Sequence, residues 1–146
     1  MTESVRMGRP DLEAIRHHAS RGYPEEVCGV LVGRDEDGRG RAITRVVPID
    51  NSRVDERARR YIIPPESLRQ AERSAAAAGL DVIGFYHSHP DHPAEPSVYD
   101  REHAWPWYTY VIVPVMAGAS GEPRAWRLLG DRAGFQELRI ESADSE

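Results

Sequence analysis

The stretch GFYHSHPDHPAEPSVYD, residues 84 to 100, contains residue types that bind metal ions in many proteins. His87 and His89 lie two residues apart at the end of an apolar run, so as strand residues they point to the same face. Asp100 follows eleven residues after His89, in a segment with a helix start signal. Two imidazoles and a carboxylate would give zinc three protein ligands and leave a fourth position for water, as in catalytic zinc sites. A structural zinc site usually has four ligands, mostly thiolates, and this chain has one cysteine.

Each part of this pattern also has a simpler interpretation. A His-x-His at the end of a strand is often just an exposed polar pair. Ser97 and Asp100 have the spacing of a helix cap, in which the serine hydroxyl accepts a backbone hydrogen bond and the aspartate lies near the positive end of the helix dipole. His92 has the wrong spacing to join the pair and is predicted to lie in a loop. Exposed helix positions are predicted for the other histidines, His17, His18 and His103.

Composition predicts one domain spanning residues 1–146, with an ordered core at about residues 10–140 and flexible tails. No apolar stretch reaches the roughly 18 residues that a membrane-spanning helix needs, and no secretory signal is visible. We therefore expect a cytoplasmic protein without a membrane partner. The net charge of −5 argues against a nucleic-acid partner. All 19 basic residues are arginine, which excludes lysine-based catalysis such as a Schiff base.

The periodicity of the chain predicts an α/β fold in a single domain, with a mixed β-sheet flanked by helices. Helices are predicted at residues 10–22, 66–79 and 97–105. Strands are predicted at residues 25–34, 42–49, 61–63, 80–87, 108–115, 124–129 and 134–140, the first two as a hairpin. Residues 51–60 are predicted to form a polar loop.

The spacing His87-Ser-His89, seven residues, Ser97, two residues, Asp100 resembles the His-x-His-x7-Ser-x2-Asp signature of the JAMM (MPN-plus) zinc metalloproteases. Members of that family also carry a glutamate on an early strand, in a Pro-x-Glu-x-Cys-Gly-like stretch. The corresponding stretch here, YPEEVCGVLVG, places that glutamate at Glu26. Periodicity alone does not choose between Glu26 and its neighbour on the opposite strand face. The resemblance covers most of the chain, and the compact domain is similar to the standalone prokaryotic members.

The resemblance implies one Zn²⁺ per chain, held by His87, His89 and Asp100. It further implies that Glu26 acts as general base and then as general acid, and that the Ser97 hydroxyl stabilises the oxyanion. The implied activity is hydrolysis of the amide bond after the C-terminal Gly-Gly of a ubiquitin-like or sulfur-carrier protein, such as a carrier that bears a cysteine there. The alternative is a non-catalytic MPN-type module that binds ubiquitin-like proteins. Because all five motif residues are present, the enzyme is favoured.

Three further features of the sequence each allow two interpretations. Cys28 is predicted to be a buried core residue, or else a reversible fourth zinc ligand that silences the enzyme. Three aromatic residues, Trp105, Trp107 and Tyr108, either flank a substrate groove or pack in the core. Four arginines either lie in a solvated loop or recognise the acidic face of a carrier protein; they are Arg53, Arg57, Arg59 and Arg60.

Overall fold

The computed structural model describes residues 4–36, 40–49 and 63–142. Its helices are α1 (Arg9–Gly22), α2 (Pro65–Ala77) and α3 (Val98–His103). Its strands are β1 (Ser4–Met7), β2 (Cys28–Glu36), β3 (Gly40–Ile49), β4 (Asp81–Pro90), β5 (Thr109–Met116), β6 (Ala119–Ser120), β7 (Arg124–Leu128) and β8 (Phe135–Ser142). None of these helices is long and apolar enough to cross a membrane.

All eight strands form one sheet in the order β4-β2-β3-β1-β8-β7-β5-β6. Strand β4 also pairs with β5, so the sheet closes on itself through seven strands and leaves β6 as a short extension. The pairs β1–β3, β1–β8 and β4–β5 are parallel and the others are antiparallel. This mixed sheet with its helices confirms the predicted fold class.

Helices α1 and α2 pack against opposite faces of the sheet. Helix α1 buries Ile15 and Ala19 in a cluster to which all seven strands of the closed ring contribute. Helix α2 packs Ala71 and Ala75 against Val30 and other residues of the opposite face, where small side chains allow the helix to lie close to the strands. Strand β4 is buried on both faces because helices cover both of its sides. His87 and His89, two of the three predicted metal ligands, therefore lie on one of the most enclosed strands.

The main difference from the sequence prediction is at the chain start. Strand β1 precedes the predicted ordered core, yet it pairs with both β3 and β8 and buries Val5 and Met7. This strand was not predicted because a run of four residues is too short to show the two-residue periodicity of a strand. The predicted loop at 51–60 lies outside the described residues, as do the first two residues of the strand predicted at 61–63.

Gly84 is expected to be essential for the contact between β4 and β5. A Cβ atom at this position would lie 2.0 Å from the carbonyl oxygen of Thr109 on β5. The Gly84→Ala substitution should therefore push the two strands apart and lower the free energy of unfolding by about 1–3 kcal/mol, measured by urea denaturation. Gly130→Ala is the matched control, since a Cβ atom added there would have no neighbour within 4 Å. Equal stability of the two variants would contradict the prediction.

Candidate metal centre

Strand β4 and helix α3 bring the three predicted ligands together. His87 and His89 project from the same face of β4, where they lie beside Ile112 and Pro114 of β5. Asp100 reaches them from the first turn of α3. His87 is only 1% exposed and His89 only 7%, so both imidazoles are enclosed by the fold.

The ligand atoms converge on one point. The Nε2 atoms of His87 and His89 lie 3.2 Å apart. One oxygen of Asp100 lies 3.3 Å from Nε2 of His87, and its other oxygen lies 3.1 Å from Nε2 of His89. Zinc at ~2.0–2.1 Å from tetrahedral ligands would separate those ligands by about 3.3–3.4 Å. The observed spacing thus fits a tetrahedral ion. No other cluster of His, Cys, Asp and Glu side chains with this geometry was found in the described part of the chain.

The hydrogen bond at the other ring nitrogen of His89 fixes which nitrogen faces the cluster. Nδ1 of His89 lies 2.9 Å from the carbonyl oxygen of Pro93. A carbonyl only accepts, so Nδ1 carries a proton and Nε2 is the ring nitrogen that faces the cluster. When only Nδ1 is protonated, the Nε2 lone pair would face a carboxylate oxygen and a second imidazole nitrogen, an arrangement that a cation among the three groups stabilises. The donor set therefore fits a metal ion.

The ionisation of these groups favours metal binding. Burial lowers the pKa of His87 and keeps the imidazole neutral, although the nearby carboxylate of Asp100 opposes this effect. Burial alone would raise the pKa of Asp100, but its interactions with His87, His89 and the backbone N–H of Ser97 outweigh burial and hold the pKa well below its usual range. Neutral imidazoles and an ionised carboxylate are the protonation states in which these side chains bind metals.

Ser97 and Asp100 also form the helix cap that the sequence pattern allows. The backbone N–H of Asp100 donates to the Ser97 hydroxyl at 3.1 Å, and the backbone N–H of Ser97 donates to the Asp100 carboxylate at 2.8 Å. These reciprocal bonds are a capping box at the start of α3. The cap orients the carboxylate toward the histidines. It also leaves the hydroxyl hydrogen of Ser97 able to donate to another acceptor.

Glu26 lies close in the chain to a residue that is paired with a member of the metal cluster. Cys28 of β2 is paired with His87 of β4, and directly paired residues project from the same face. Glu26 precedes Cys28 by two residues and lies just before β2 begins, so the same orientation is what continued strand alternation predicts. Glu26 is only 7% exposed, and it is not a member of the three-residue cluster. Glu26 is thus a buried carboxyl group outside the three-residue cluster, and its place beside the metal centre stays a prediction.

The remaining sequence candidates fall outside the cluster. The thiol of Cys28 is buried, lies 3.8 Å from the carbonyl oxygen of Ile49 and is not in the metal cluster, which favours the packing interpretation. His92 is exposed in the loop, as predicted. His18 differs from its prediction, because it is partly buried and its Nδ1 lies 2.7 Å from the Tyr86 hydroxyl. The four arginines at positions 53, 57, 59 and 60 lie outside the described residues.

A largely apolar cavity of about 240 Å³ opens beside the metal centre. It is lined by Ile63, Leu68, Phe85, His87, Asp100, His103, Ala104, Trp105, Tyr110, Ile112 and Phe135. Trp105 is 65% exposed at its rim, whereas Trp107 packs under the Arg41 guanidinium and does not line it. Burial raises the pKa of Tyr110 to about 12, so this phenol stays neutral. Sequence patterns did not identify the cavity-lining residues of α2 and β8, because these elements are distant in the chain from the metal-binding motif.

Comparison with known proteins identifies the family of this fold and site. Residues 9–129 match the family model Prok-JAB, described as prokaryotic homologs of the JAB domain. The chain belongs to this family, which confirms the resemblance to JAMM/MPN proteins. The structure resembles that of a JAB1/MPN domain protein from Archaeoglobus fulgidus, with a TM-score of 0.61, 18% identity and coverage of 95% of this chain and 99% of that one.

Closer relatives match over most of the chain. A protein named desampylase from Haloferax volcanii is 37% identical over 133 aligned positions, and the match covers 88% of each chain. A probable TtuB-protein conjugate cleaving protease from Thermus thermophilus is 35% identical over 101 residues, 69% of this chain and 64% of that protein. A solution structure of a Salinibacter ruber protein has a TM-score of 0.76 and 41% identity, covering 97% of this chain and 93% of that one.

Proposed function

We propose that this chain is a zinc-dependent metallopeptidase that hydrolyses the amide bond after the C-terminal Gly-Gly of a ubiquitin-like or sulfur-carrier protein. The observation that carries the proposal is the convergence of His87, His89 and Asp100 within hydrogen-bond distance of one another. The burial of Glu26, two residues before the position paired with His87, supports it. A hydrolase is also supported by the family and by the names of the relatives from Haloferax and Thermus.

The protein groups around the proposed zinc have distinct tasks. Bound there, zinc supplies a Lewis acid and lowers the pKa of a water molecule to about 7. Glu26 accepts a proton from the attacking water and delivers it to the leaving amine. The Ser97 hydroxyl donates a hydrogen bond to the oxygen that becomes negatively charged on the scissile carbonyl. Its bond to the Asp100 N–H holds the Ser97 side chain for that role.

The substrate class follows from the relatives together with the shape of the site. One relative is named a desampylase and another a TtuB-protein conjugate cleaving protease, which supports cleavage of a ubiquitin-like protein from what it is joined to. His87 and Asp100 lie at the wall of the cavity, so the scissile bond must enter alongside its apolar lining. A Gly-Gly tail has no side chains to obstruct the approach of its backbone to so enclosed a site.

Intact-mass spectrometry tests the proposal. The zinc-loaded protein is incubated with two substrates, a sulfur-carrier protein with a cysteine after its Gly-Gly and a ubiquitin-like protein joined to a lysine side chain. The wild-type protein should release the cysteine from the first substrate, the lysine from the second, or both. The released product identifies the leaving group that the protein accepts. Elemental analysis should show one zinc per chain, and removal of zinc by a chelator should abolish cleavage. Stable binding of the substrates without cleavage would support the non-catalytic module instead.

Trp105 is expected to contribute to substrate binding. It is exposed at the rim of the cavity that His87 and Asp100 also line. Exposed aromatic side chains often carry a large share of binding energy, so Trp105→Ala should raise KM about five- to thirtyfold, or about 1–2 kcal/mol, with a smaller change in kcat. Steady-state cleavage of the conjugate measures both constants.

Trp107→Ala is the matched control for this prediction. Trp107 is also half exposed, but its ring lies 4.2 Å from the Arg41 guanidinium and outside the cavity lining. The control should therefore leave KM within about twofold of the wild-type value, since surface substitutions away from a site have small effects. If KM rose equally in both variants, the location of Trp105 at the cavity rim would not explain its effect on substrate binding.

A further inference from the structure

Ser88 lies between the two histidines in sequence, but its side chain contacts the backbone of Val27 and not the metal cluster. Strand alternation directs its side chain to the opposite face of β4, where it is 0% exposed. Its Oγ accepts a hydrogen bond from the backbone N–H of Val27 at 2.9 Å. Its own backbone N–H donates to the Val27 carbonyl at 3.0 Å. Ser88 is thus joined to Val27 by two hydrogen bonds.

These bonds lie beyond the end of the regular ladder between β2 and β4. The ladder ends where Cys28 is paired with His87, and β2 itself begins at Cys28. In a regular hydrogen-bonded antiparallel pair, two residues exchange both of their backbone bonds. In a regular pair the backbone carbonyl of Ser88 would accept the hydrogen bond from the Val27 N–H. Here the Ser88 hydroxyl accepts that hydrogen bond instead. The side chain therefore extends the pairing of the two strands by one residue.

The extension fixes the position of Glu26. The N–H of Val27 belongs to the planar peptide group whose other end is the Cα of Glu26. Holding that N–H therefore holds the Glu26 backbone one residue beyond the bonded Val27, near the strand position that is paired with His87. A general base acts within hydrogen-bond reach of its proton, and displacement of a reacting group by about 1 Å costs about 100-fold in rate.

We propose that Ser88 is a positioning residue for Glu26, acting through the Val27 amide. The proposal rests on the proposed role of Glu26 as general base. The metal ligands are held by separate contacts, His89 by the Pro93 carbonyl and Asp100 by the Ser97 amide. Loss of the Ser88 hydroxyl should therefore displace Glu26 while leaving the ligand set intact.

Ser88→Ala removes the hydroxyl with a minimal change in shape. Its kcat should fall about 10- to 100-fold, as for other residues that orient a site from outside it, with KM within about twofold of wild type. The visible spectrum and stoichiometry of the Co²⁺-substituted protein should match those of wild type. Thr109→Val is the control, because it removes another buried hydroxyl, one that accepts from Arg41, and should leave kcat unchanged. Should the alanine variant not fold, Ser88→Cys tests the same expectation with a weak acceptor.

A double-mutant cycle with Glu26→Gln decides through which group Ser88 acts. If it acts through Glu26, adding Ser88→Ala to Glu26→Gln causes no further fall in kcat. A further tenfold fall in that background, an altered Co²⁺ spectrum, or an unchanged kcat in the single variant would each overturn the positioning role. Wild-type activity on the same substrate is measured first. An inactive wild type would overturn the proposed function and this inference with it, whereas an active wild type with an equally active Ser88→Ala variant overturns this inference alone.

Discussion

Glu26→Gln is expected to keep the metal and to lose about 10²–10⁴-fold in kcat, the contribution typical of a general base. Glutamine has nearly the shape of glutamate, so the buried site should keep its packing. It cannot accept a proton from the attacking water or return one to the leaving amine. Zinc should remain at one equivalent per chain, because Glu26 is not part of the His87, His89 and Asp100 cluster. Single-turnover cleavage and elemental analysis of the same sample measure the two quantities.

Glu25→Gln is the matched control, since Glu25 is the neighbouring carboxylate and should face away from the centre. Its kcat should stay within about twofold of wild type, as expected for a surface change away from the site. Normal turnover by Glu26→Gln would show that another group accepts the proton. Loss of zinc from Glu26→Gln would instead make Glu26 part of the metal site.

The sequence was most informative where local patterns specify structure. Proline at a helix start and glycine at a helix end predicted α1 at residues 10–22, close to its observed limits of Arg9–Gly22. The two-residue spacing of His87 and His89 predicted a shared strand face because strand side chains alternate regardless of tertiary context. The serine and aspartate three residues apart predicted the capping box, which depends only on the first turn of the helix.

Contacts between distant segments could not be predicted in this way. The parallel pairing of β4 with β5 closes the sheet, and nothing in either strand specifies that partner. His18 was assigned to an exposed helix face, whereas its contact with Tyr86 depends on how α1 packs against β4. The Pro93 carbonyl that orients His89 has no side-chain signal at all. Choosing Glu26 over Glu25 likewise required the family motif, because strand periodicity alone does not say which of two neighbouring residues faces the histidines.

Asp100→Ala is expected to lose both zinc and turnover, because it removes a ligand and half of the capping box together. Without the carboxylate, two imidazoles alone hold the ion, and the backbone N–H of Ser97 loses its acceptor. The cap loss alone should cost about 0.5–2 kcal/mol of stability. Zinc is measured after gel filtration and stability by thermal unfolding. Zinc retained at full stoichiometry would remove Asp100 from the ligand set.

Two further variants separate ligation from capping at this position. Asp100→Asn keeps an oxygen that accepts the Ser97 N–H but is a poor zinc ligand, so it should lose zinc while largely keeping its stability. Ser97→Ala removes the other half of the cap but leaves the carboxylate, so it should retain zinc and lose about 10²–10³-fold in kcat as an oxyanion donor. If Ser97→Ala lost zinc as completely as Asp100→Ala, the cap rather than the ligand would control metal binding. Asp100→Asn is therefore expected to lose zinc and Ser97→Ala to retain it. The Asp100 carboxylate contacts the histidines directly, whereas the Ser97 hydroxyl acts on that carboxylate only through the first turn of α3.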